Sequence, residues 1–354
     1  MIGKFVKRNF VIIILALSAF GTALPAPIDT FPGNLYTERI CLIFCFMISA
    51  AGFEEGGIYH LLHSKMRGRL SPTGAYFLIL AASYLLGALI TPYAVVIMTV
   101  PLISRLFERN TLLFAFPSTA AAATLGGFLS PVSSFYNAFF TFEEIVPPDE
   151  LVLRLIPYSL VGFALVIVAS LPVTKIYSQY DGLREVRPEP VYVCVFAILL
   201  VITALAVGGL FDGIASFVSV CLVIVILEPK LMRKPDYALL LMLFLLSVTA
   251  WNITRADLLP LPENPFFAAV ALSNVISAEN AAEFLAKIGI TPDILAVGIN
   301  IGAAGFIFAT PAALAAFSSS VSGENAKPLL SAGVFAAQGI VLTAALSALW
   351  FVIN

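Results

Sequence analysis

Charged residues are scarce in this sequence: Asp, Glu, Lys and Arg together make up 11% of its 354 residues. Soluble domains carry about 25% of such residues. Hydrophobic residues make up 60% of the chain, and its mean hydropathy is +1.00. No soluble fold of this length could bury so much apolar surface, so the composition predicts an integral membrane protein. Its main partner is then the lipid bilayer, and we expect no nucleic-acid partner.

Histidine and cysteine are also sparse. The sequence has two histidines and four cysteines, and the cysteines lie in apolar runs without Cys-x-x-Cys spacing. His60 and His63 lie in a polar, basic segment, which favours a cytoplasmic loop over a metal site. The sequence also lacks a nucleophile–base pair and a Gly-x-x-x-x-Gly-Lys phosphate loop. We therefore predict no catalytic residue, no organic cofactor and no ATP-driven pump.

Apolar segments divide the chain into helices. A membrane-spanning helix needs about 20 mostly apolar residues, and the candidate spans are 10–24, 40–53, 152–174, 190–208, 213–228, 235–252 and 328–353. Two longer segments, 111–142 and 291–322, are interrupted and predict broken helices. Two more, 73–106 and 262–288, are interrupted at their midpoints and predict re-entrant hairpins. The fold class is therefore an all-α membrane bundle of about nine transmembrane helices and two hairpins.

The first candidate span has a second interpretation. It follows Lys4, Lys7 and Arg8, as the apolar part of a cleaved secretory signal peptide would. We favour a retained helix, because it completes the internal symmetry described below.

Lysine and arginine set the orientation, because cytoplasmic loops are enriched in them. With the N-terminus inside, 15 of the 19 basic residues lie on the cytoplasmic side. The outer set consists of Arg39, Arg154, Arg255 and Lys287. This asymmetry requires both interrupted segments to be hairpins, and it places the C-terminus outside. We predict a multi-pass protein of the bacterial inner (plasma) membrane.

The same series of segments occurs twice. Residues 1–189 form a first repeat of span, span, hairpin, broken helix and span, and residues 209–354 repeat the series with opposite orientation. Residues 190–208 form the helix that links them. Inverted repeats are typical of secondary transporters, whose substrate site lies near the midplane where the repeats meet.

A hydroxyl residue stands at each of the four interruptions. Thr91 and Ser277 lie at the hairpin tips, and Ser130 and Thr310 lie where the broken helices restart. Each can cap the helix that follows it, and all but Ser277 precede a proline, which suits the first helical position. Helix N-termini attract anions, so four converging termini favour an anion site. The alternative is that these Ser-Pro and Thr-Pro pairs only kink helices.

Short motifs surround these interruptions: 91–95 (Thr-Pro-Tyr-Ala-Val), 125–134 (Leu-Gly-Gly-Phe-Leu-Ser-Pro-Val-Ser-Ser), 272–277 (Leu-Ser-Asn-Val-Ile-Ser) and 296–302 (Ala-Val-Gly-Ile-Asn-Ile-Gly). They resemble the hairpin tips and unwound segments of the ion transporter superfamily, especially its short citrate-transporter-like and arsenite-permease-like members. The resemblance implies an ion-coupled transporter, a site that includes Gly127 and Gly302, and a homodimer. It also implies sodium as a coupling ion, with the proton as the alternative.

Polar residues near the interruptions complete the candidate site. Glu279 is the only acidic residue placed near the midplane, where a carboxyl group is costly; it could bind a coupling proton or cap the returning helix. Asn280 and Asn300 offer oxygens to a cation such as sodium, or amides to a substrate. The matching strip in the first half is Ser130, Ser133, Ser134 and Asn137, whose alternative role is hydrogen bonding between helices. We expect no Lys or Arg inside the site.

The leading prediction is a proton- or sodium-coupled secondary transporter of a small anion or carboxylate, working by alternating access around a midplane site. The first alternative is cation/proton antiport on the same scaffold, which Glu279 and the asparagines favour and the four helix ends oppose. The second is a divergent relative that no longer transports.

Overall fold

A computed structural model of the chain describes residues 2–25, 33–177, 188–255, 262–321 and 327–354. All regular structure in these ranges is helical, with one short 3₁₀ helix at Pro229–Arg233. The α-helices are α1 (Ile2–Ala23), α2 (Gly33–Glu55), α3 (Ile58–Arg69), α4 (Pro72–Leu89), α5 (Pro92–Leu106), α6 (Arg109–Gly127), α7 (Phe135–Phe142), α8 (Pro148–Tyr177), α9 (Pro190–Val207), α10 (Gly213–Leu227), α11 (Tyr237–Arg255), α12 (Pro265–Ile276), α13 (Ala278–Lys287), α14 (Pro292–Ala303), α15 (Pro311–Val321) and α16 (Pro328–Ile353).

Five of the described helices are long and apolar enough to cross a membrane, namely α4, α8, α9, α11 and α16. The bent pair α2 and α3 would make a sixth. Large apolar side chains point outward on several of these helices; Leu329 is 84% exposed, Val352 82% and Val191 79%. Such a surface suits lipid rather than water, so the chain is a multi-pass helical membrane protein. The expected nine crossings and the orientation of the termini stay predictions.

The polar segment after α2 is a helix, so the prediction of a loop there is wrong. Helix α3 leaves α2 at an angle of 64°, and it buries Tyr59 and His63. Arg105, near the end of α5, binds Glu54 at 2.7 Å and lies over the Tyr59 ring. These contacts dock α3 against the bundle.

The first interrupted segment folds as a hairpin. Helix α4 ends at Leu89, and Thr91 begins α5 with Pro92 at the first position. The ring of Tyr76, early in α4, lies 5.9 Å from that of Phe107, just after α5, so the two arms run back along each other. At 1.5 Å per residue, α4 is about 27 Å long. It could therefore span most of the ~30 Å core of a bilayer, in keeping with its place among the five candidate spans.

The second interrupted segment is shorter. Helices α12 and α13 pack against each other, and Ser277 is the single residue between them. Their lengths are about 18 Å and 15 Å. Neither arm could cross the ~30 Å hydrocarbon core alone, which fits the predicted re-entrant hairpin.

The two broken helices consist of α6 with α7 and α14 with α15. Irregular backbone occupies 128–134 in the first and 304–310 in the second. The cap of α7 is Ser134, whose Oγ accepts a hydrogen bond from the Asn137 N–H. The prediction that Ser130 caps this helix is wrong, because the chain stays irregular through Pro131 and the next three residues.

Equivalent pairs of elements pack together in the two halves. Helix α4 lies along α6, and α12 lies along α14, in each case with close backbone approach at glycines. A Cβ at Gly126 would lie 1.8 Å from the Tyr84 carbonyl oxygen, and one at Gly302 would lie 2.6 Å from Ser273 Cβ. Contacts between the halves also match: α1 packs on α11 and α10 on α2, while α5 packs on α15 and α13 on α7. An internal repeat predicts that each contact between the halves occurs twice, with the equivalent helices interchanged. The inverted orientation of the repeats stays a prediction.

Candidate functional site

The N-termini of α5, α7, α13 and α15 meet around one small cavity in the middle of the bundle. One lobe is lined by Thr91, Ser133, Ser134, Tyr136, Glu279 and Thr310. The other is lined by Arg39, Ile43, Leu246, Ser247, Ser277 and Asn280. Phe135, Glu279 and Pro311 line both lobes, and we call the two together the central cavity. Water molecules can enter about 40 Å³ of one lobe and 20 Å³ of the other, which is room for a few waters at most.

Hydroxyl side chains cap all four helices at this cavity. Each accepts a hydrogen bond from the backbone N–H three residues later: Thr91 from Ala94 at 3.0 Å, Ser134 from Asn137 at 3.3 Å, Ser277 from Asn280 at 3.5 Å and Thr310 from Ala313 at 3.2 Å. A cap satisfies only one of the four free N–H groups at a helix start. Each terminus also carries about half a positive charge, so the four together make the cavity attractive to an anion.

Ser277 holds a backbone conformation that is unusual for a residue with a side chain. Its φ of 76° and ψ of 154° fall in a region that is essentially restricted to glycine and costs about 1–3 kcal/mol. Two hydrogen bonds hold the tip: Ala278 N–H donates to the Ala309 carbonyl at 2.8 Å, and Asn280 Nδ2 donates to Ser277 Oγ at 2.9 Å. Strained residues of this kind cluster at functional sites, and this one ties the second hairpin to the second broken helix.

Two asparagines join the broken helices beside the cavity. Asn300 Nδ2, on α14, donates to Asn137 Oδ1, on α7, at 2.9 Å. Asn137 Nδ2 in turn donates to the carbonyls of Gly127 at 3.2 Å and Ser130 at 3.1 Å. Ser133 Oγ donates to the same Gly127 carbonyl at 3.0 Å. Asn137 therefore has the alternative role predicted for it, hydrogen bonding between helices, and both Asn137 and Ser133 satisfy the irregular backbone after α6.

Two buried amide oxygens have no hydrogen-bond partner within the described part of the chain. They are Asn280 Oδ1 and Asn300 Oδ1, on residues that are 6% and 0% exposed. A buried acceptor without a donor costs roughly 1–3 kcal/mol. Amide oxygens are also ordinary ligands of hard cations such as sodium. Each of the two oxygens can therefore contact a cation or accept a hydrogen bond.

Glu279 is the second residue of α13 and is 94% buried, with 6% of its surface exposed. It lines both lobes of the central cavity. A carboxylate in the first turn of a helix is stabilised by the free N–H groups there. Both roles predicted for this residue, capping and proton binding, are open to a side chain in this position. Among the residues that the structure describes, no group of three His, Cys, Asp or Glu side chains surrounds it as a metal site would.

Arg39 also reaches the central cavity, which the sequence analysis did not foresee. It lies on α2, its side chain is 16% exposed, and it forms an ion pair with Glu283 on α13. Its guanidinium carbon lies 5.8 Å from the centre of the Phe135 ring. The expectation that no basic side chain enters the site is wrong. The sequence placed Arg39 outside the helix because the predicted span was 40–53. Helix α2 begins seven residues earlier, so Arg39 lies within it.

The remaining predicted site residues do not line the central cavity. Gly127 is packed closely on the first hairpin: a Cβ there would lie 2.7 Å from Pro92 Cγ. Gly302 allows α12 to approach α14. Ser130 is half-buried next to the irregular segment, and Asn137 and Asn300 act through the amide bridge. Thr91, Ser133, Ser134, Ser277, Glu279, Asn280 and Thr310 are the predicted residues that the structure brings together around the cavity.

Comparison with protein-family models finds no match, and comparison with curated proteins finds no significant similarity. The resemblance to the ion transporter superfamily therefore depends on the short motifs alone, and the function is inferred from the site.

Proposed function

We propose that the protein is a secondary transporter that moves a small anion or carboxylate through the central cavity, coupled to protons or sodium. The observation that supports this most directly is the meeting of four capped helix N-termini at one cavity. Non-helical backbone at membrane depth is tolerated where it lines such a cavity. Broken helices that aim their N-termini at a substrate are a recurrent feature of secondary transporters.

The charges around the cavity favour an anionic substrate. Free N–H groups and helix dipoles stabilise negative charge at the four termini. The guanidinium of Arg39, whose charge Glu283 balances, adds N–H donors on the same side as Ser277 and Asn280. A substrate carboxylate or oxyanion would accept hydrogen bonds from these donors, while the hydroxyl caps would orient it.

The coupling ion would occupy the second hairpin tip. Glu279 offers a carboxyl group, and Asn280 and Asn300 offer amide oxygens that lack a donor in the described structure. A proton on Glu279 or a sodium ion among these oxygens would remove negative charge from the cavity. Anion binding and cation binding would then assist each other, which is the basis of symport.

In this proposal the conformation is a closed state, because the central cavity is small. A few water molecules fill the space available, and a carboxylate of several carbon atoms does not fit. Substrate entry then requires the hairpin-bearing elements to move against the other helices, as alternating access demands. We further propose a homodimer, which the motif resemblance implies, in the bacterial inner membrane.

Cation/proton antiport is the second candidate, and one observation favours it. Glu279 and the ion-paired Glu283 bring two carboxyl groups near the cavity, together with the amide oxygens named above. In that case Arg39 would neutralise Glu283, and Glu279 would exchange a proton for a metal cation.

A flux experiment on purified protein in liposomes separates these possibilities. Uptake of labelled succinate, citrate, phosphate and sulfate is measured under an imposed pH gradient, an imposed sodium gradient or neither, and proton release is followed when sodium or lithium is added outside. Gradient-driven uptake of one of the anions supports the proposal. Cation-driven proton release without anion uptake identifies an antiporter. No flux of any kind, with the protein folded and inserted, overturns transport and favours a divergent non-transporting relative.

A further inference from the structure

Three cavities follow one another along α2. The central cavity lies between a first vestibule, lined by Glu38, Leu42, Phe139, Glu143, Ala206 and Phe211, and a second vestibule, lined by Met47, Ala51, Glu54, Lys234, Asp236 and Ser319. Water can enter about 240 Å³ of the first vestibule and 190 Å³ of the second. Helix α2 contributes to all three spaces in chain order, so the spaces are arranged in series along this helix.

The first vestibule and the central cavity share two lining residues, Arg39 and Phe135. These two side chains therefore form the wall between the spaces. The Arg39 guanidinium lies over the Phe135 ring and binds Glu283. The ion pair connects α2 to α13, the returning arm of the second hairpin, so it also holds the hairpin against the neighbouring helix.

The opposite end of the central cavity is closed in a different way. It shares no lining residue with the second vestibule among those described. Along α11, Leu243 lines the central cavity and Leu239, one turn away, lines the second vestibule. Along α2, Ile43 and Met47 are related in the same manner. Packed apolar side chains close this end, and opening it requires helices to separate.

We propose that the Arg39–Glu283 ion pair, seated on Phe135, is the gate between the first vestibule and the central cavity. Both charged side chains are mostly buried, at 16% and 13% exposure, so hairpin movement that separates them would open a water-filled route. Removing one partner of such a pair leaves the other charge uncompensated, which weakens the closed arrangement. This inference extends the proposed transport function, but its test measures access and needs no transported substrate.

The test is side-specific labelling of a reporter cysteine in liposomes. The four native cysteines are first replaced, and Ser247→Cys then places a reporter in the central cavity. Glu143→Cys provides a matched reporter in the first vestibule. A charged, membrane-impermeant methanethiosulfonate reagent is added to one side at a time. We expect Glu283→Gln to speed labelling of the Ser247→Cys reporter from the first-vestibule side at least about fivefold, because it leaves Arg39 without its partner, and to leave labelling of the Glu143→Cys reporter unchanged.

Two further variants make the result decisive. Asp293→Asn removes a more exposed ion pair, in which Arg154 Nη1 lies 3.0 Å from Asp293 Oδ2, and it should leave labelling unchanged. Phe135→Ala removes the ring without changing charge and should speed labelling as Glu283→Gln does, which covers the case in which either variant folds poorly. Unchanged labelling in the folded variants, or an equal rise from both sides, overturns the gate. If labelling behaves as expected and the liposomes show no flux, the gate stands and the proposed transport function fails.

Discussion

The two hairpin tips occupy equivalent places in the two halves but carry different chemistry. At the first tip, Thr91 caps α5 in an ordinary extended conformation, and Tyr93 is the second helical residue. At the second tip, Ser277 caps α13 in a strained conformation, and Glu279 is the second helical residue. One tip therefore presents an apolar wall and a hydroxyl, whereas the other presents a carboxyl group, an amide and stored strain. The comparison indicates that the groups able to bind a coupling ion lie on the second hairpin. The first hairpin contributes mainly apolar cavity wall and a helix N-terminus.

The largest contrast between the tips is expected at their second helical residues. If Glu279 carries the coupled proton, Glu279→Gln removes the dependence of anion uptake on an imposed pH gradient, a coupling loss of roughly 5–150-fold. Tyr93→Phe, at the equivalent position of the first tip, should change uptake less than twofold, since its hydroxyl makes no hydrogen bond in the described structure. The measurement is liposome uptake with and without the gradient.

Glu150→Gln is the matched control for that substitution. Glu150 is likewise a first-turn carboxylate, on α8, but its side chain is 51% exposed. It should leave the pH dependence intact. If Glu279→Gln also leaves it intact, Glu279 is only a helix cap and sodium becomes the coupling ion to test.

A second contrast concerns the asparagines that satisfy the two irregular segments. Asn137 donates to two carbonyls of the first segment and accepts from Asn300, whereas Asn274, from the hairpin arm α12, accepts from the Phe306 N–H of the second segment at 2.6 Å. Asn137→Ala removes three hydrogen bonds, but the Gly127 carbonyl keeps Ser133 Oγ and Asn300 Nδ2 keeps the Ala296 carbonyl. We therefore expect a loss of about 2 kcal/mol, from the bonds removed and the Ser130 carbonyl left without its donor. Asn274→Ala leaves one N–H without its partner and should cost about 1 kcal/mol.

Unfolding of the detergent-solubilised protein measures both losses. A double-mutant cycle with Asn300→Ala then isolates the amide bridge, which should contribute about 0.6–1.7 kcal/mol, the range found for such bonds between membrane helices. Equal losses for Asn137→Ala and Asn274→Ala would show that the two segments are supported alike.

Glycine substitution at the two caps should have effects of opposite sign. Ser277→Gly relieves a backbone strain of about 1–3 kcal/mol. It loses a few tenths of a kcal/mol as a cap and about 1 kcal/mol with the hydrogen bond from Asn280 Nδ2, so it should raise the stability by up to about 1 kcal/mol. Thr91→Gly relieves no strain, because Thr91 has φ −151° and ψ 146°, and should lower the stability slightly. Thermal unfolding of both variants tests this, and Ser277→Ala, which keeps the strain and loses the cap, should be the least stable at that tip. A destabilised Ser277→Gly would mean that the tip is not strained.

The sequence predicted the caps correctly where a hydroxyl residue stands directly at the helix start, as at Thr91, Ser277 and Thr310. It also predicted that the interruptions are helix breaks, because glycine and proline interrupt an otherwise apolar run. It did not reveal Arg39, whose ion-pair partner Glu283 lies 244 residues away in the chain. Contacts of such separation leave no local pattern. The helix at 58–69 was missed because its polar composition resembles that of a loop.

The choice between Ser130 and Ser134 gives the smallest expected effect and tests the one cap that the sequence misplaced. Ser130 precedes Pro131 and therefore matches the usual start of a helix, but α7 begins five residues later. Ser134→Ala should cost about 1 kcal/mol of stability, as loss of an N-cap does. Ser130→Ala should stay within about 0.5 kcal/mol, since the Ser130 side chain makes only a 3.5 Å contact with the Val132 N–H. Equal losses of stability for the two variants would indicate that the helix starts nearer to Pro131. The N-terminus that faces Glu279 across the central cavity would then lie at a different position.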